Sequence, residues 1–389
     1  MNALIAHRLL DLRPFWVMKL LARARELEAQ GRHLIHMEIG EPDFPTPAPI
    51  VDAACLALKQ GLTHYTPAVG LRALREAIAG YYRQHYGVDV DPRRIIVTPG
   101  ASGALLLALG AVLDAGDQVM LSDPGYPCYR ELVRFLHGRV CALPVDASTA
   151  FQPTVDHLES RWSERCRALI VATPANPTGT VLTAERLLSL IDYVHRRGAI
   201  TIVDEIYQGL TYEGQPVTAL ALSRDCFVVN SFSKYFGMTG WRLGWLVAPD
   251  ELVPVVDKLA QNLFLAASTP AQHAALSAFT PQTEAILQQR AREFRRRRDY
   301  LVQRLTEVGL TVPARPKGAF YVYADCSALT DDSMVLVQQL LEEAGVVIAP
   351  GADFGEHQNH RFVRFAYTTS MAELARGVER LQRFVGQSF

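Results

Sequence analysis

The chain has 389 residues, of which 49% are hydrophobic and 20% charged, and its 39 basic and 40 acidic side chains leave a formal net charge of −1. That length supplies two or three domains and a large core, while so even a balance gives no electrostatic footprint for nucleic acid or a membrane surface. The one basic block, arginines 295–298, falls in a strongly helical stretch and reads as a solvated face. Residues 1–8 are too polar and short for a secretory signal, and the longest apolar run, 104–113, is far short of a membrane span. Cys55, Cys128, Cys141, Cys166, Cys226 and Cys326 are scattered, with no CxxC pair and no metal-ligand spacing. They read as reduced thiols of a cytoplasmic protein.

In chain order, an amphipathic pattern at 17–30 predicts a helix, and a short strand precedes Gly40. Apolar, β-branched runs predict strands at 94–98, 118–122, 139–143, 168–173, 199–203, 226–229 and 243–248. Helical patterns at 70–86, 102–113, 184–197 and 250–265 lie between them. Several of the strands are continuously apolar, as strands buried on both faces tend to be. The alternation predicts an α/β fold: a mostly parallel seven-stranded sheet sandwiched by helices. Past about residue 281 the pattern changes. A long charged helix runs to about 308, followed by strands at 319–324, 346–349 and 361–367, a helix at 334–344 and a closing helix. This reads as a smaller α+β domain. The first forty-odd residues are too few to fold alone and are expected to pack on it. The expected division is 45–281 for the large domain and 1–44 with 282–389 for the small one.

The densest chemistry lies in Ser231-Phe232-Ser233-Lys234-Tyr235-Phe236-Gly237-Met238-Thr239-Gly240-Trp241-Arg242-Leu243-Gly244. A lysine becomes a covalent catalyst when it forms a Schiff base with an aldehyde. This one is bracketed by two hydroxyls, with an arginine eight residues on that can pair with phosphate. Gly100-Ala101-Ser102-Gly103 joins a strand to a helix, where free N–H groups attract anions. Asp204 follows an apolar strand, so its carboxylate emerges at the carboxyl end of the sheet, where α/β folds place ligands. Asn176 lies in the turn Pro174-Ala175-Asn176-Pro177 after another such strand. Arg364 sits on an apolar strand, which is costly for an unpaired charge and suits a carboxylate ligand. Alternation turns Arg361 to the other face, toward solvent.

The 231–244 run resembles, position by position, the pyridoxal-phosphate attachment site of class I/II aminotransferases, and the resemblance covers nearly the whole chain. It implies the fold-type I architecture and pyridoxal 5′-phosphate held by Lys234 as an internal aldimine. It further implies that Asp204 pairs with the pyridine nitrogen, and that Tyr207 and Asn176 donate to the phenolic oxygen. Tyr126 would stack on the ring. Ala101, Ser102, Ser231, Ser233 and Arg242 would hold the phosphate. Tyr65 would reach the phosphate of a neighbouring subunit, making the active unit a homodimer. Arg364 and the backbone of Gly40 would take the α-carboxylate, with Tyr126 and Asn176 beside the substrate. Lys234 would then move the α-proton, and the partners would be an amino acid and a 2-oxo acid.

Ser102 stands where some aspartate-preferring relatives carry a lysine, and Val17 where an ungapped alignment places a threonine. Both departures tilt the expected donor towards neutral, apolar or aromatic amino acids. Carbon–sulfur β-lyases and related synthases of the same fold would keep nearly every residue named. A ligand-sensing regulator of this fold would carry a DNA-binding domain ahead of the residues quoted; the forty before Gly40 contain no basic recognition helix.

Overall fold

The computed structural model describes residues 4–10 and 12–388. Residues 1–3, 11 and 389, which fall in the two stretches expected to form the smaller part, lie outside the described residues. The chain opens with α1 (Trp16–Ala29) and β1 (Ile35–His36), then α2 (Ala48–Lys59) and α3 (Arg72–Tyr86). The alternating region follows: β2 (Ile95–Thr98), α4 (Gly100–Val112), β3 (Gln118–Asp123), α5 (Pro127–Phe135), β4 (Arg139–Pro144), α6 (Val155–Arg161), β5 (Cys166–Ala172), α7 (Ala184–His195), β6 (Ile200–Asp204), β7 (Cys226–Ser231) and β8 (Gly244–Val247). These seven strands form one sheet in the order β2-β8-β7-β6-β5-β3-β4. Only β8 runs antiparallel to its neighbours, because it returns directly from β7 without a crossover helix.

The sheet is buried on both faces, and its side chains separate with a period of two. Ile95 and Val97 enter one core while Ile96, between them, enters the other; Leu169 and Val171 against Ile170 repeat the pattern. The first core is closed by α2, α3 and α7, through Ile50, Leu74, Ile78, Leu187 and Leu190. The second is closed by α4 through Ala104 and Leu107.

After α8 (Val253–Leu263) and α9 (Thr269–Leu276), α10 spans Pro281–Glu307. It is followed by β9 (Tyr321–Asp325), α11 (Ser333–Gln339), β10 (Val346–Val347), β11 (Ala349–Pro350), β12 (Phe362–Ala366) and α12 (Met371–Ser388). A third core gathers Leu20 and Ala24 of α1, Phe294 and Leu301 of α10, Val322 of β9, Val363 of β12 and Leu374 of α12. β11, β12 and β9 make an antiparallel sheet, and β1 pairs in parallel with β10, Ile35 opposite Val346.

Four expectations are corrected. Residues 346–349 are not one strand: the chain turns at Ile348 and serves two sheets in succession. Arg94 precedes β2 in a 3₁₀ turn, where its buried guanidinium donates to the Ala248 carbonyl at 2.8 Å. The 250–265 segment is a 3₁₀ turn followed by the shorter α8. The 295–298 block is a solvated face only at Arg295 and Arg296; Arg297 and Arg298 are 4% and 0% exposed. Each is compensated from far along the chain, Arg297 by Asp43 at 2.7 Å and Arg298 by Glu213 at 2.8 Å, as buried guanidinium groups require.

Candidate active site

The carboxyl ends of the parallel strands converge on one cavity of about 500 Å³. β6 ends at Asp204, β7 at Ser231, β5 leads to Asn176 and β2 leads into α4, so strand direction alone aims these residues at a common point. Lys234 lies three residues beyond β7 and Arg364 comes across from β12.

Lys234 is half-buried and its Nζ donates to the Gly40 carbonyl at 2.5 Å. Burial pulls its pKa from 10.5 down to about 8; Glu41 opposes this, while Arg364 and Arg242 add to it. An amine at that value exchanges a proton near neutral pH. Asp204 is buried at the far side, where Tyr129 donates to Oδ2 at 2.6 Å and the Ile206 N–H to Oδ1 at 3.0 Å. Burial raises its pKa, and those two hydrogen bonds and Lys234 counter the rise. A cation against Asp204 would stabilise its ionised form.

Arg364 is 5% exposed. Its Nη1 donates to Asn176 Oδ1 at 3.0 Å and its Nη2 to the Glu38 carbonyl. Tyr321 and Phe354 stack on the guanidinium at 4.3 and 4.8 Å, a cation–π packing that holds its plane. Nε is buried without an acceptor among the described residues, which leaves a donor for a carboxylate. Arg361, expected to face solvent, is half-exposed ahead of β12 and pairs with Asp325 at 2.6 Å.

At the other end, α4 starts at Gly100 with no side-chain cap, so its first N–H groups point outward unclaimed by a side chain. Arg242 sits in left-handed backbone beside them, and a Cβ on Gly100 would come within 2.7 Å of its Nη2. Ser231 Oγ donates to the Leu243 carbonyl at 3.1 Å and shares a 3.0 Å hydrogen bond with Ser233 Oγ. Ala101, Ser102, Tyr126 and Tyr207 complete this wall, and Tyr207 shares a 2.8 Å hydrogen bond with Tyr321.

Of the residues singled out from sequence, the fold thus brings Gly40, Ala101, Ser102, Tyr126, Asn176, Asp204, Tyr207, Ser231, Ser233, Lys234, Arg242 and Arg364 around one cavity. Tyr65 is not among them; it stands 82% exposed ahead of α3. The sequence reading missed Tyr129, Tyr321, Asp353 and Phe354. Tyr129 alone left a local signal, three residues from Tyr126 on the turn that opens α5. The assembled set fits a phosphate-bearing aldehyde with a basic ring nitrogen: an uncapped helix start beside an arginine, a buried carboxylate and a low-pKa lysine. Among the described residues no group of three or more His, Cys, Asp or Glu side chains could hold a metal, and no helix is long and apolar enough to cross a membrane.

Comparison with known proteins agrees with this chemistry. The family model for aminotransferase class I and II matches residues 32–381. A (5-formylfuran-3-yl)methyl phosphate transaminase of Methanocaldococcus jannaschii is 38% identical over 99% of this chain and 100% of its own length. A valine–pyruvate aminotransferase of Mycobacterium tuberculosis is 39% identical over 95% of both chains. A crystal structure of an aminotransferase from Mycobacterium tuberculosis superposes with a TM-score of 0.94 at 38% identity, over 98% of this chain and 99% of that one. The chain therefore belongs to the class I and II aminotransferase family and is a pyridoxal-phosphate-dependent transaminase, acting between amino acids and 2-oxo acids.

Proposed function

We propose that the amino donor is a neutral, apolar or aromatic L-amino acid, with Arg364 taking its α-carboxylate and Lys234 moving its α-proton. What carries the donor class is the cavity wall formed by the start of α1 and the segment between β1 and Gly40: Phe15, Val17, Met18, Leu21 and Ile39. A side chain entering there trades water for apolar surface. The lining cations are Lys234, Arg242 and Arg364, and each is already committed by its surroundings to another task. The likeness to a valine–pyruvate aminotransferase supports the same reading.

When bound, pyridoxal phosphate supplies the aldehyde that receives the amino group and a ring that spreads the charge left by α-proton removal. In our reading, Arg242, Ser231, Ser233 and the N–H groups of Ala101 and Ser102 hold the phosphate. Asp204 would meet the ring nitrogen, Asn176 and Tyr207 the phenolic oxygen, and Tyr126 the ring face. Arg364 grips the substrate carboxylate as a fork, aided by the backbone near Gly40. Lys234 Nζ, its pKa pulled down by burial, would accept the donor's α-proton as the base and hold it for return. The donor would leave as its 2-oxo acid, and a second 2-oxo acid would take up the amino group in the reverse direction. Residues 45–281 would supply the cofactor side of this site, and 1–44 with 282–389 the substrate side. Tyr65, exposed in one chain, would serve the phosphate site of a second copy. The six cysteines, all free thiols, support a cytoplasmic setting.

The test is the absorption spectrum of the purified holoenzyme titrated with single amino acids. Conversion of the visible band to a near-ultraviolet one by valine, leucine or phenylalanine supports the reading. Conversion by aspartate and glutamate alone would overturn the donor class. Release of ammonia and pyruvate from a cysteine-type donor, with the visible band persisting, would add a β-lyase activity.

A further inference from the structure

We propose that Asp353 is a positioning residue for substrate selectivity: it caps α1 from a distant loop and so fixes the apolar wall in front of the substrate side chain. The inference rests on the reading that this side chain meets the α1 wall.

α1 needs such a cap. Its N-cap residue is Phe15, which has no side-chain group to accept the free N–H groups of the first turn. The carboxylate of Asp353 accepts both of the first two, Trp16 N–H on Oδ1 at 2.6 Å and Val17 N–H on Oδ2 at 2.8 Å. Asp353 is 7% exposed and lines the cavity. A buried carboxylate holding two N–H groups at a helix start combines charge-assisted hydrogen bonds with the helix dipole.

The loop that carries Asp353 is itself fixed. The Phe354 carbonyl accepts from Gly125 N–H at 2.8 Å, and the Asp123 carboxylate accepts from the N–H groups of Glu356 and His357. Gly355 lies so close to Asp123 that a Cβ there would sit 1.6 Å from its Oδ1. Phe354 stacks on Arg364. The cap therefore refers the first turn of α1 to the loop ahead of Tyr126 and to the carboxylate-binding arginine. Further along, α1 is anchored independently by Leu20, Ala24 and Leu27 in the third core. The first turn is otherwise held by Val17, which packs on the small cluster around Tyr323 and Phe354, and by the Arg13–Glu356 pair, which is exposed on both sides and contributes little. Phe15, Val17 and Met18, which flank the capped groups, are the wall residues whose position depends on Asp353.

Asp353→Asn keeps the shape but offers one acceptor, and turns an N–H donor toward the second helix N–H. Two readings of the holoenzyme test the proposal: the ratio of kcat/KM for L-leucine to that for L-alanine, and hydrogen exchange of residues 15–21. We expect the ratio to fall about fivefold or more and exchange of the first turn to quicken by a similar factor. Phe15→Ala and Met18→Ala serve as wall variants, with a fall in the same ratio expected. A ratio unchanged in Asp353→Asn, or both donors weakened equally, overturns the proposal while changed wall variants leave the donor reading standing. Wall variants without effect on the ratio overturn the donor reading and this inference together.

Discussion

Replacing Lys234 by methionine in the cofactor-free protein should stabilise it at neutral pH. The ammonium has a pKa of about 8 in the folded chain against 10.5 for the ordinary group. Below pH 8 both folded and unfolded states hold the proton, and the folded state bears the full cost of a poorly hydrated charge. Between about 8 and 10.5 the folded state has released it while the unfolded state has not, so wild-type stability rises with pH across that window. Carrying the amine from 10.5 to about 8 corresponds to roughly 3.4 kcal/mol. The open side of the cavity hydrates the amine, which reduces the expected gain to about 2 kcal/mol. Methionine fills nearly the same volume without charge. Urea unfolding at fixed protomer concentration should place Lys234→Met about 2 kcal/mol above wild type at pH 7, with the gap closing towards pH 10.5. A variant no more stable than wild type at pH 7, or a gap independent of pH, would refute the argument.

Arg364→Lys replaces a stacked fork by a point charge. It should lower kcat/KM about a hundredfold, roughly 3 kcal/mol, in the half-reaction with any amino acid; a loss under threefold would remove Arg364 from carboxylate binding. Tyr129→Phe deletes the 2.6 Å hydrogen bond to Asp204. Bonds to a charged group contribute about 1.5–3 kcal/mol, so cofactor retention on dialysis should weaken by tenfold or more, and unchanged retention would refute the role. His36, between Glu38 at 2.7 Å and Glu28 at 3.1 Å, has its pKa raised to about 9, chiefly by the Glu38 hydrogen bond. Its stabilisation is complete below about pH 6.5 and lost as pH climbs through 9. His36→Gln should therefore cost stability at pH 6 and little at pH 9.5, and an equal cost at both would contradict this.

The cavity residues that were legible in the sequence are those whose chemistry is written locally. Ser231, Ser233, Lys234 and Arg242 share one run, and Asp204 and Asn176 each follow an apolar strand whose direction fixes where they point. The continuously apolar runs, alternating with helical patterns, likewise located the central sheet. What escaped depends on partners distant in sequence. Tyr129 meets Asp204 across 75 positions, and Asp353 caps Trp16 across 337. Neither carries a signal of its own beyond a tyrosine on a short helix and an aspartate in a loop. Arg297 and Arg298 looked solvated because burying them takes Asp43 and Glu213 from other parts of the chain, beside the neighbouring Glu293 and Asp299. The break at Ile348 was hidden because both halves of 346–349 are equally apolar and buried; only the change of pairing partner divides them.

Whether Lys234 carries the cofactor is open to direct chemistry. Borohydride reduction of the holoenzyme fixes the lysine–cofactor linkage, and peptide mass mapping locates it among the five lysines, Lys19, Lys59, Lys234, Lys258 and Lys317. The added mass should lie on the peptide containing Lys234 and on no other. The same mass on any other lysine, or its persistence in Lys234→Ala, would contradict it.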